Sequence, residues 1–262
     1  MKSLQLLSLL PSRPTEFLDR AAAVVTRQWE SSIRHRKSPV YSTVEQEEGL
    51  SRFFRRLSTR PDIFETGLTT IQQTIRDRQG HLPVNPPFSS SHNGDTLLGR
   101  LCYLAARAMR PTMIVETGVC YGVTSAHLLQ ALTLNEGGHL HSIDLPPLSK
   151  DADAFVGWVI PDALRERWTL HRGSSARVLR PLLSQIGQLD LFIHDSLHTY
   201  RNMKMEFAAV WPCLRPGGVL ISDDVEGNTA FSELVKQTDV ALSIVIRENH
   251  KPSLLGVALK KA

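Results

Sequence analysis

The chain has 262 residues, 42% of them hydrophobic, and a formal net charge of +4. This length and composition predict an ordinary soluble enzyme with one substantial α/β core, and the sequence contains no internal repeat or low-complexity tract. The three cysteines, Cys102, Cys120 and Cys213, lack metal-type spacing. They therefore exclude a cysteine zinc site and predict reduced thiols in a cytoplasmic protein.

The first 92 residues are predicted to form a helical extension that ends in a hinge rich in proline and serine, between Gln79 and Asn93. Residues 93–262 would then form the catalytic core. The apolar stretch within Met1–Leu10 is too short to span a membrane and too close to Pro11 for a signal peptide. We expect this stretch to be a docking helix or an ordered arm.

The charge is distributed unevenly along the chain. Residues 1–110 carry 16 Lys and Arg against 10 Asp and Glu, a net charge of +6, and the remainder carries 14 against 16, a net charge of −2. Such a basic region is compatible with an acidic acceptor, nucleic acid or an anionic membrane. Because arginine-rich helices are mostly solvated faces or subunit contacts, we expect one of these instead. We predict a homo-oligomer built through the N-terminal helices, with neither nucleic acid nor membrane as a partner.

A buried strand, a glycine-bearing turn and a helix start follow one another within Met113–Leu129. Glu116 lies near the end of the strand, and Gly118 and Gly122 bracket the turn before helical spacing begins at Val123. Glycines let the backbone approach a ligand closely, and the helix start presents unpaired N–H groups. A dinucleotide fingerprint needs G-x-G-x-x-G spacing, which this turn lacks. The acid two residues before the first glycine suits a ligand with an amino group more than a pyrophosphate. The turn therefore predicts a nucleotide-like ligand that carries an amino group.

The second strand of the predicted core ends in Asp144. In a βαβ unit, a carboxylate at this place can accept hydrogen bonds from both hydroxyls of a ribose. Ser174 and Ser175 follow a glycine after the next strand. Such serines are also ordinary turn residues that cap a helix, here one predicted over residues 176–183.

Two later strands end in acidic residues. Asp195 lies just after the apolar run Leu189–Ile193, and Asp223 and Asp224 directly follow the strand Val219–Ser222. Neighbouring strands of a doubly wound sheet bring their carboxyl ends to one edge, where such folds bind ligands. Three carboxylates so close together repel one another unless a proton or a cation intervenes, and Mg²⁺ is the simplest cation. In a metal-free alternative, Asp195 orients the ammonium group of a cofactor and Asp223 caps the following loop.

The chain is predicted to end in a β-hairpin. Two apolar strands, Val240–Arg247 and Leu254–Leu259, are separated by a short segment that contains a proline. This hairpin would close one side of the predicted sheet.

The turn with Glu116, Gly118 and Gly122, followed by Asp144, resembles the class I S-adenosylmethionine-dependent methyltransferases. The similarity is to the branch of sugar and macrolide O-methyltransferases and cephalosporin hydroxylase-type proteins, and it covers about residues 95–262. It implies an α/β fold with a Rossmann-like, doubly wound, seven-stranded sheet and an antiparallel C-terminal hairpin. It also implies that the glycine turn and Glu116 hold the methionine part of the cofactor and that Asp144 binds its ribose.

The resemblance implies further site residues. Ser174 or Ser175 would contact adenine, and Asp195, Asp223 and Asp224 would hold a metal that lowers the pKa of an acceptor hydroxyl. His198 is our candidate base, because a histidine pKa near 6.5 lets it accept a proton around neutrality. The alternative for His198 is a structural histidine bonded to the backbone. Many relatives have a second acid where this chain has Leu197, which weakens any mechanism that depends on that acid.

We therefore predict an S-adenosylmethionine-dependent methyltransferase that performs metal-assisted O-methylation of a small molecule, either a sugar or another secondary metabolite. One alternative is an NAD-type Rossmann oxidoreductase, which the glycine spacing and the terminal hairpin disfavour. A second alternative is a non-catalytic nucleoside-binding scaffold that docks through its basic N-terminal helices. In such a scaffold, Asp195, Asp224 and His198 could be replaced without loss of function.

Overall fold

The structure is a computed structural model that describes residues 6–7, 9–32, 39–88, 96–149, 151–236, 239–249 and 252–262. The helices are α1 (Pro14–Ser32), α2 (Gln46–Arg56), α3 (Glu65–Gln79), α4 (Thr96–Met109), α5 (Val123–Leu134), α6 (Ala152–Phe155), α7 (Ser175–Ile186), α8 (Tyr200–Val210) and α9 (Ala230–Leu234). The strands are β1 (Thr43–Glu45), β2 (Met113–Thr117), β3 (His139–Asp144), β4 (Trp168–Arg172), β5 (Leu189–His194), β6 (Leu214–Ser222), β7 (Val240–Arg247) and β8 (Leu254–Lys260).

All eight strands belong to one sheet, in the order β1-β7-β8-β6-β5-β2-β3-β4. The run from β6 to β4 is parallel, whereas β8 pairs antiparallel with both β6 and β7. The predicted α/β fold and its terminal hairpin are confirmed. The predicted count of seven strands is wrong, because β1 of the N-terminal extension adds an eighth strand that pairs in parallel with Val245–Arg247.

The central strands are apolar because helices cover both faces of the sheet. Ile114 of β2 and Leu191 and Phe192 of β5 have no exposed surface. Side chains from the N-terminal extension belong to the same core, since Phe53 and Phe54 of α2 are buried in one cluster with residues of α4 and α5. The extension is thus joined to the sheet both by packing and by β1.

The segment predicted as a hinge lies against the glycine turn. The Tyr121 hydroxyl donates to the Phe88 carbonyl and accepts from the Phe88 N–H, at 2.9 and 3.1 Å. The two rings meet edge to face, with centroids 4.9 Å apart. The remainder of the predicted hinge, residues 89–93, lies outside the described residues.

Strand β6 begins five residues before the predicted start at Val219. Leu189 of β5 pairs with Leu214 and Leu191 pairs with Val219, so the intervening Pro-Gly-Gly segment bulges from the ladder. This segment is therefore an irregularity within one strand. Among the described helices, none has the length and apolar character needed to cross a membrane.

Candidate functional site

The sheet reverses its strand order between β2 and β5, which are neighbours although they are not consecutive in sequence. Ligands of doubly wound sheets bind outside the carboxyl ends of the strands at such a switch point. Strands β2, β3, β5 and β6 all end on this edge, because they are parallel. The structure therefore brings the strand-end residues predicted from sequence to one edge.

The turn after β2 is shaped by close approach of backbones. Gly118 has a φ of +89°, and its N–H donates to the Ile143 carbonyl at 2.9 Å. A Cβ at Gly118 would lie 1.9 Å from the carbonyl oxygen of Asp195. A Cβ at Gly122 would lie 2.8 Å from the Cα of Gly157. Only glycine fits these positions, because the turn is pressed against the loops that follow β3 and β5.

Gly122 is also the N-cap of α5 and has a φ of +86°. Because it is a glycine, the N-cap residue has no side chain with which to cap the helix. The first N–H groups of α5 thus remain available to a polar ligand, at the positive end of the helix dipole.

The Asp144 carboxylate faces this turn. It accepts a hydrogen bond from the Cys120 N–H at 2.9 Å. Burial raises the pKa of Asp144, although hydrogen bonds from the backbone N–H groups of Cys120, Val119 and Leu145 act in the opposite direction. The acid predicted to bind ribose therefore lies beside the glycine turn.

Glu116 lies inside the protein and has no exposed surface. Its Oε2 accepts hydrogen bonds from the hydroxyls of Ser125 and Ser142, at 2.6 and 2.7 Å, whereas Oε1 has no partner. Burial raises the pKa of Glu116 to about 7, so the carboxyl is partly protonated near neutrality. A buried, unpartnered oxygen next to the turn fits a ligand that brings a donor.

The two serines predicted near adenine already have protein partners. The Ser174 hydroxyl donates to Asp19 of α1 at 2.9 Å, and the Ser175 hydroxyl donates to Asn202 at 3.3 Å. Ser174 is the N-cap residue of α7, but its side chain does not cap that helix. Helix α7 begins at Ser175 and continues to Ile186, beyond the predicted end.

Asp195, His198 and Asp223 form a group whose ligand atoms lie within 4.8 Å of one another, among the residues that the structure describes. His198 Nδ1 lies 2.9 Å from Asp224 Oδ2, and His198 Nε2 lies 3.7 Å from Asp195 Oδ1. His198 Nε2 is buried and has no hydrogen-bond partner. Asp224 thus pairs with Nδ1 of the imidazole, and Nε2 faces Asp195. These neighbours are side chains, whereas the alternative for His198 was a histidine bonded to the backbone.

The charges in this cluster shift the pKa values of its members. Burial and the neighbouring Asp223 charge raise the pKa of Asp195 well above its usual range, and burial with the Asp224 charge raises that of Asp223 to about 7. Burial lowers the pKa of His198, but the Asp224 hydrogen bond and the surrounding carboxylates outweigh it and raise the pKa to about 9. The hydrogen bond from His198 lowers the pKa of Asp224. The cluster therefore has an excess of negative charge that a cation would offset.

Glu206 of α8 is a buried residue that sequence reasoning missed. Its carboxylate has no exposed surface and accepts four side-chain hydrogen bonds of 2.7–2.9 Å, from Thr117, His194, Ser196 and Asn202. Burial raises its pKa, but the contacts with His194 outweigh this and lower the pKa to about 2. Glu206 thus ties the end of β2 to the loop that carries Asp195 and His198. An acid on a buried helix face was the only available signal.

Asn228, four residues after Asp224, serves as a turn residue at this edge of the sheet. Its Oδ1 accepts a hydrogen bond from the Ala230 N–H at 2.9 Å, and its Nδ2 donates to the His198 carbonyl at 3.3 Å. Both polar ends of the amide are therefore engaged, and one of them supports the backbone of His198.

Helix α1 reaches across the loops at this edge of the sheet. Its acidic residues hold loops that follow β4 and β5, through Glu16 with Arg172, Asp19 with Ser174, and Glu30 with the N–H groups of Tyr200 and Arg201. Arg20 also donates to the Pro146 carbonyl, just beyond Asp144, at 2.6 Å. The N-terminal extension thus contributes directly to the surroundings of the site.

Solved methyltransferase structures share this fold at low sequence identity. A Bacillus cereus O-methyltransferase bound to S-adenosylhomocysteine is 16% identical, with 73% of this chain and 91% of that chain covered and a TM-score of 0.54. TomG of Streptomyces achromogenes, bound to S-adenosylmethionine, is 21% identical, with 84% of this chain and 100% of that chain covered and a TM-score of 0.53. A putative caffeoyl-CoA O-methyltransferase from Staphylococcus aureus is 14% identical, with 76% of this chain and 96% of that chain covered and a TM-score of 0.55.

A family model described as a methyltransferase domain matches residues 115–225. Over this range the chain is similar to a methyltransferase domain, and its fold is that of the S-adenosylmethionine-dependent enzymes described above. The matched range runs from β2 to just beyond Asp224 and includes every site residue predicted from the sequence. The predicted enzyme class is confirmed, while the roles of individual residues in this methyltransferase stay predictions. A search of curated protein sequences gives no match.

Proposed function

We propose that this methyltransferase transfers the methyl group of S-adenosylmethionine to a hydroxyl oxygen of a small molecule, with a divalent cation, most simply Mg²⁺, held by Asp195 and Asp223. The observation that carries the proposal is the convergence of these two carboxylates with His198 at the carboxyl ends of β5 and β6. Burial, and after it the charge of a neighbouring carboxylate, raises the pKa of both acids, and a bound cation would act in the opposite direction. Oxygen donors of this kind suit a hard cation.

Asp224, which the sequence analysis included among the metal ligands, receives a different role in this proposal. Its Oδ2 is engaged with His198 Nδ1 at 2.9 Å. A carboxylate in this place fixes the orientation and the tautomer of the imidazole, so that Nε2 is the free nitrogen. We therefore assign Asp224 as the positioning residue of His198.

His198 is the proposed base. When bound, the cation supplies a lowered pKa for the acceptor hydroxyl. His198 Nε2 takes the hydroxyl proton, the oxygen forms a bond to the methyl carbon, and the bond from that carbon to sulfur breaks to give S-adenosylhomocysteine. Because nearby carboxylates raise the pKa of His198 to about 9, its neutral form at pH 7 requires that their charge be offset.

The cofactor would occupy the edge between the glycine turn and Asp144. The open N–H groups at the start of α5, the Glu116 oxygen without a partner and the carboxylate of Asp144 supply donors and acceptors for an amino acid group and a ribose. Ser174 and Ser175 follow β4, the strand next to β3, and would contact the adenine of the cofactor. Two O-methyltransferases of similar fold, TomG in tomaymycin synthesis and a putative caffeoyl-CoA O-methyltransferase, support a hydroxylated small molecule as acceptor.

Calorimetric titration tests the cofactor and the cation separately. We expect the enzyme to bind S-adenosylhomocysteine, and to bind Mg²⁺ in a second isotherm that Asp195→Asn/Asp223→Asn abolishes. The matched control, Asp62→Asn/Asp162→Asn, removes two exposed carboxylates and should leave both isotherms unchanged. Absence of S-adenosylhomocysteine binding would overturn the proposal, and binding without a Mg²⁺ isotherm would overturn its metal component.

The role of His198 is tested by His198→Ala. We expect this variant to keep its Mg²⁺ affinity and to lose at least about 100-fold in methyl transfer to whichever hydroxylated acceptor a screen identifies. Loss of Mg²⁺ binding instead would make His198 a ligand rather than a base. Unchanged transfer would exclude His198 as the base, whereas a wild type that binds S-adenosylhomocysteine but methylates no acceptor in the screen would favour the non-catalytic scaffold.

A further inference from the structure

Three histidines that do not belong to the candidate site lie together on one face of the sheet. His139 and His141 belong to β3, and His171 belongs to β4, which is the outermost strand. Side chains two residues apart on a strand point to the same face. The ring centroids of His139 and His141 are 4.8 Å apart, and those of His141 and His171 are 5.2 Å apart. One edge of the sheet therefore carries a row of three imidazoles.

Two of these rings turn nitrogen atoms toward each other. His141 Nδ1 lies 3.0 Å from His171 Nε2. The register explains the contact, because His141 is opposite Thr169 and its ring reaches the residue two positions further along β4. The third ring is engaged elsewhere, since His139 Nε2 lies 2.8 Å from the Thr169 hydroxyl oxygen. His141 and His171 thus join the edge strand to its neighbour through their side chains.

Both rings of this pair are predominantly neutral at pH 7. Burial, and after it the neighbouring imidazoles, lowers the pKa of His141 to about 4. Burial, and after it His139, also lowers the pKa of His171. A neutral imidazole offers one nitrogen lone pair to a metal ion, and its other nitrogen keeps the proton. Protonation, which competes with metal binding at histidine, is therefore disfavoured at this pair.

The separation of the two nitrogens suits a divalent ion that prefers imidazole. Zn²⁺ lies about 2.0–2.1 Å from an imidazole nitrogen, so two such ligands at a tetrahedral angle are about 3.3 Å apart. The 3.0 Å separation between His141 and His171 is close to this value. Both side chains are partly exposed, so water can complete the coordination shell. Hard ions such as Mg²⁺ prefer oxygen ligands and are not expected here.

We propose that His141 and His171 bind a divalent transition-metal ion of the Zn²⁺ type, which clamps the edge strand β4 to β3. The ion replaces the hydrogen bond between the two rings. The proton of that hydrogen bond moves to the other nitrogen of its own ring, so two neutral imidazoles bind and no net proton is released. Strand β4 gains most from such a clamp, because an edge strand is paired on one side only. This site is independent of the proposed methyl transfer.

Calorimetric titration with Zn²⁺ tests the proposal. Because the carboxylate cluster also offers ligands to Zn²⁺, the titration uses the full chain carrying Asp195→Asn/Asp223→Asn. We expect Zn²⁺ binding that His141→Gln or His171→Gln weakens at least about tenfold. The midpoint of thermal denaturation should rise with added Zn²⁺, and this rise should be absent in the two histidine variants.

His139→Gln is the matched control. It removes an imidazole from the same face of the same strand but no proposed ligand, so this variant should bind Zn²⁺ like its parent. Absence of Zn²⁺ binding in the parent would overturn the proposal, as would binding that His141→Gln leaves unchanged or that His139→Gln weakens equally.

Nuclear magnetic resonance of the chain with isotopically labelled histidine provides a readout that needs no substitution of the pair. On addition of Zn²⁺, the imidazole nitrogen resonances of His141 and His171 should shift more than those of His139. Shifts confined to other histidines would place the ion elsewhere and overturn the proposal.

Discussion

The two halves of the candidate site are stabilised in different ways. On the β2 and β3 side, the glycine turn is defined by shape, because the backbones of three loops meet at distances that exclude a Cβ. On the β5 and β6 side, the site is defined by charge, with acids whose repulsion is uncompensated and a buried carboxylate that anchors their loop. Substitutions that add volume should therefore destabilise the first half. In the second half, removal of a carboxylate charge should lower the stability of the protein at one residue and raise it at another.

The largest expected effect is that of Gly118→Ala. The added Cβ would meet the Asp195 carbonyl at 1.9 Å at a φ of +89°, so we expect a loss of roughly 4 kcal/mol in the free energy of unfolding, with S-adenosylhomocysteine binding abolished. Urea denaturation and calorimetry measure these quantities. Gly187→Ala is the control, because Gly187 has a φ of +78° but open space around it, and it should cost only about 1 kcal/mol. Equal losses in the two variants would refute the argument from close approach.

Glu206→Gln should have the next largest effect. The substitution keeps the size of the side chain but places an amide among four donors, so we expect a loss of roughly 3 kcal/mol and weaker Mg²⁺ binding, since the Asp195 loop loses its anchor. Thr117→Val removes one donor and should cost about 1 kcal/mol. Thermal and urea denaturation provide the comparison. A Glu206→Gln protein as stable as Thr117→Val would mean that the carboxylate charge does not hold the loop.

Asp223→Asn should raise the stability of the metal-free enzyme, whereas the two preceding substitutions lower it. The pKa of Asp223 is raised to about 7 from 3.8, so between these values the folded protein holds a proton that the unfolded chain has released. The stability of the metal-free enzyme therefore falls as pH rises through this interval, and Asp223→Asn should exceed the wild type by roughly 2 kcal/mol at pH 8. Denaturation curves in the presence of a chelator, recorded across this pH range, measure the difference. A variant less stable than the wild type at pH 8 would show that Asp223 is not under electrostatic strain.

The smallest expected effect concerns α1. Burial opposes ionisation of Glu16, but hydrogen bonds from Arg172 and Arg20 outweigh it and lower its pKa to about 2 from 4.5. The contribution of Glu16 is thus present above pH 4.5 and is lost as pH falls toward 2. At neutral pH, Glu16→Gln should lower the free energy of local opening of α1 by about 1 kcal/mol. Hydrogen exchange should then be faster in α1 alone. Unchanged exchange would mean that other contacts hold the helix.

Strand-end residues were the part of the site that the sequence could locate. Asp144, Asp195 and Asp223 each follow a recognisable apolar strand, and parallel strands place such residues at one edge irrespective of the detailed packing. Gly118 and Gly122 were identified for a local reason, since a turn with φ near +90° favours glycine. Fold class, the order of the core elements and the terminal hairpin followed from the same local patterns.

Other features depend on contacts between residues far apart in the chain. Glu206 looks like an ordinary helical acid until Thr117 and His194 are placed around it, and Asp224 looks like a third ligand until its pairing with His198 is seen. The short strand β1 has too few residues to form by itself, and it exists because the edge of β7 is free to pair.

The sequence by itself determined the α/β class, the glycine turn and the set of strand-end acids, because periodicity, backbone sterics and chain order are local properties. Only the tertiary structure decided which carboxylate meets which histidine, that the sheet has eight strands, and that α1 packs through its charged face with its apolar face in solvent. The sequence predicted a helical extension but not which face of α1 would be buried. That choice depends on arginines such as Arg172 and Arg177, more than 150 positions away in sequence, which the fold brings to the helix.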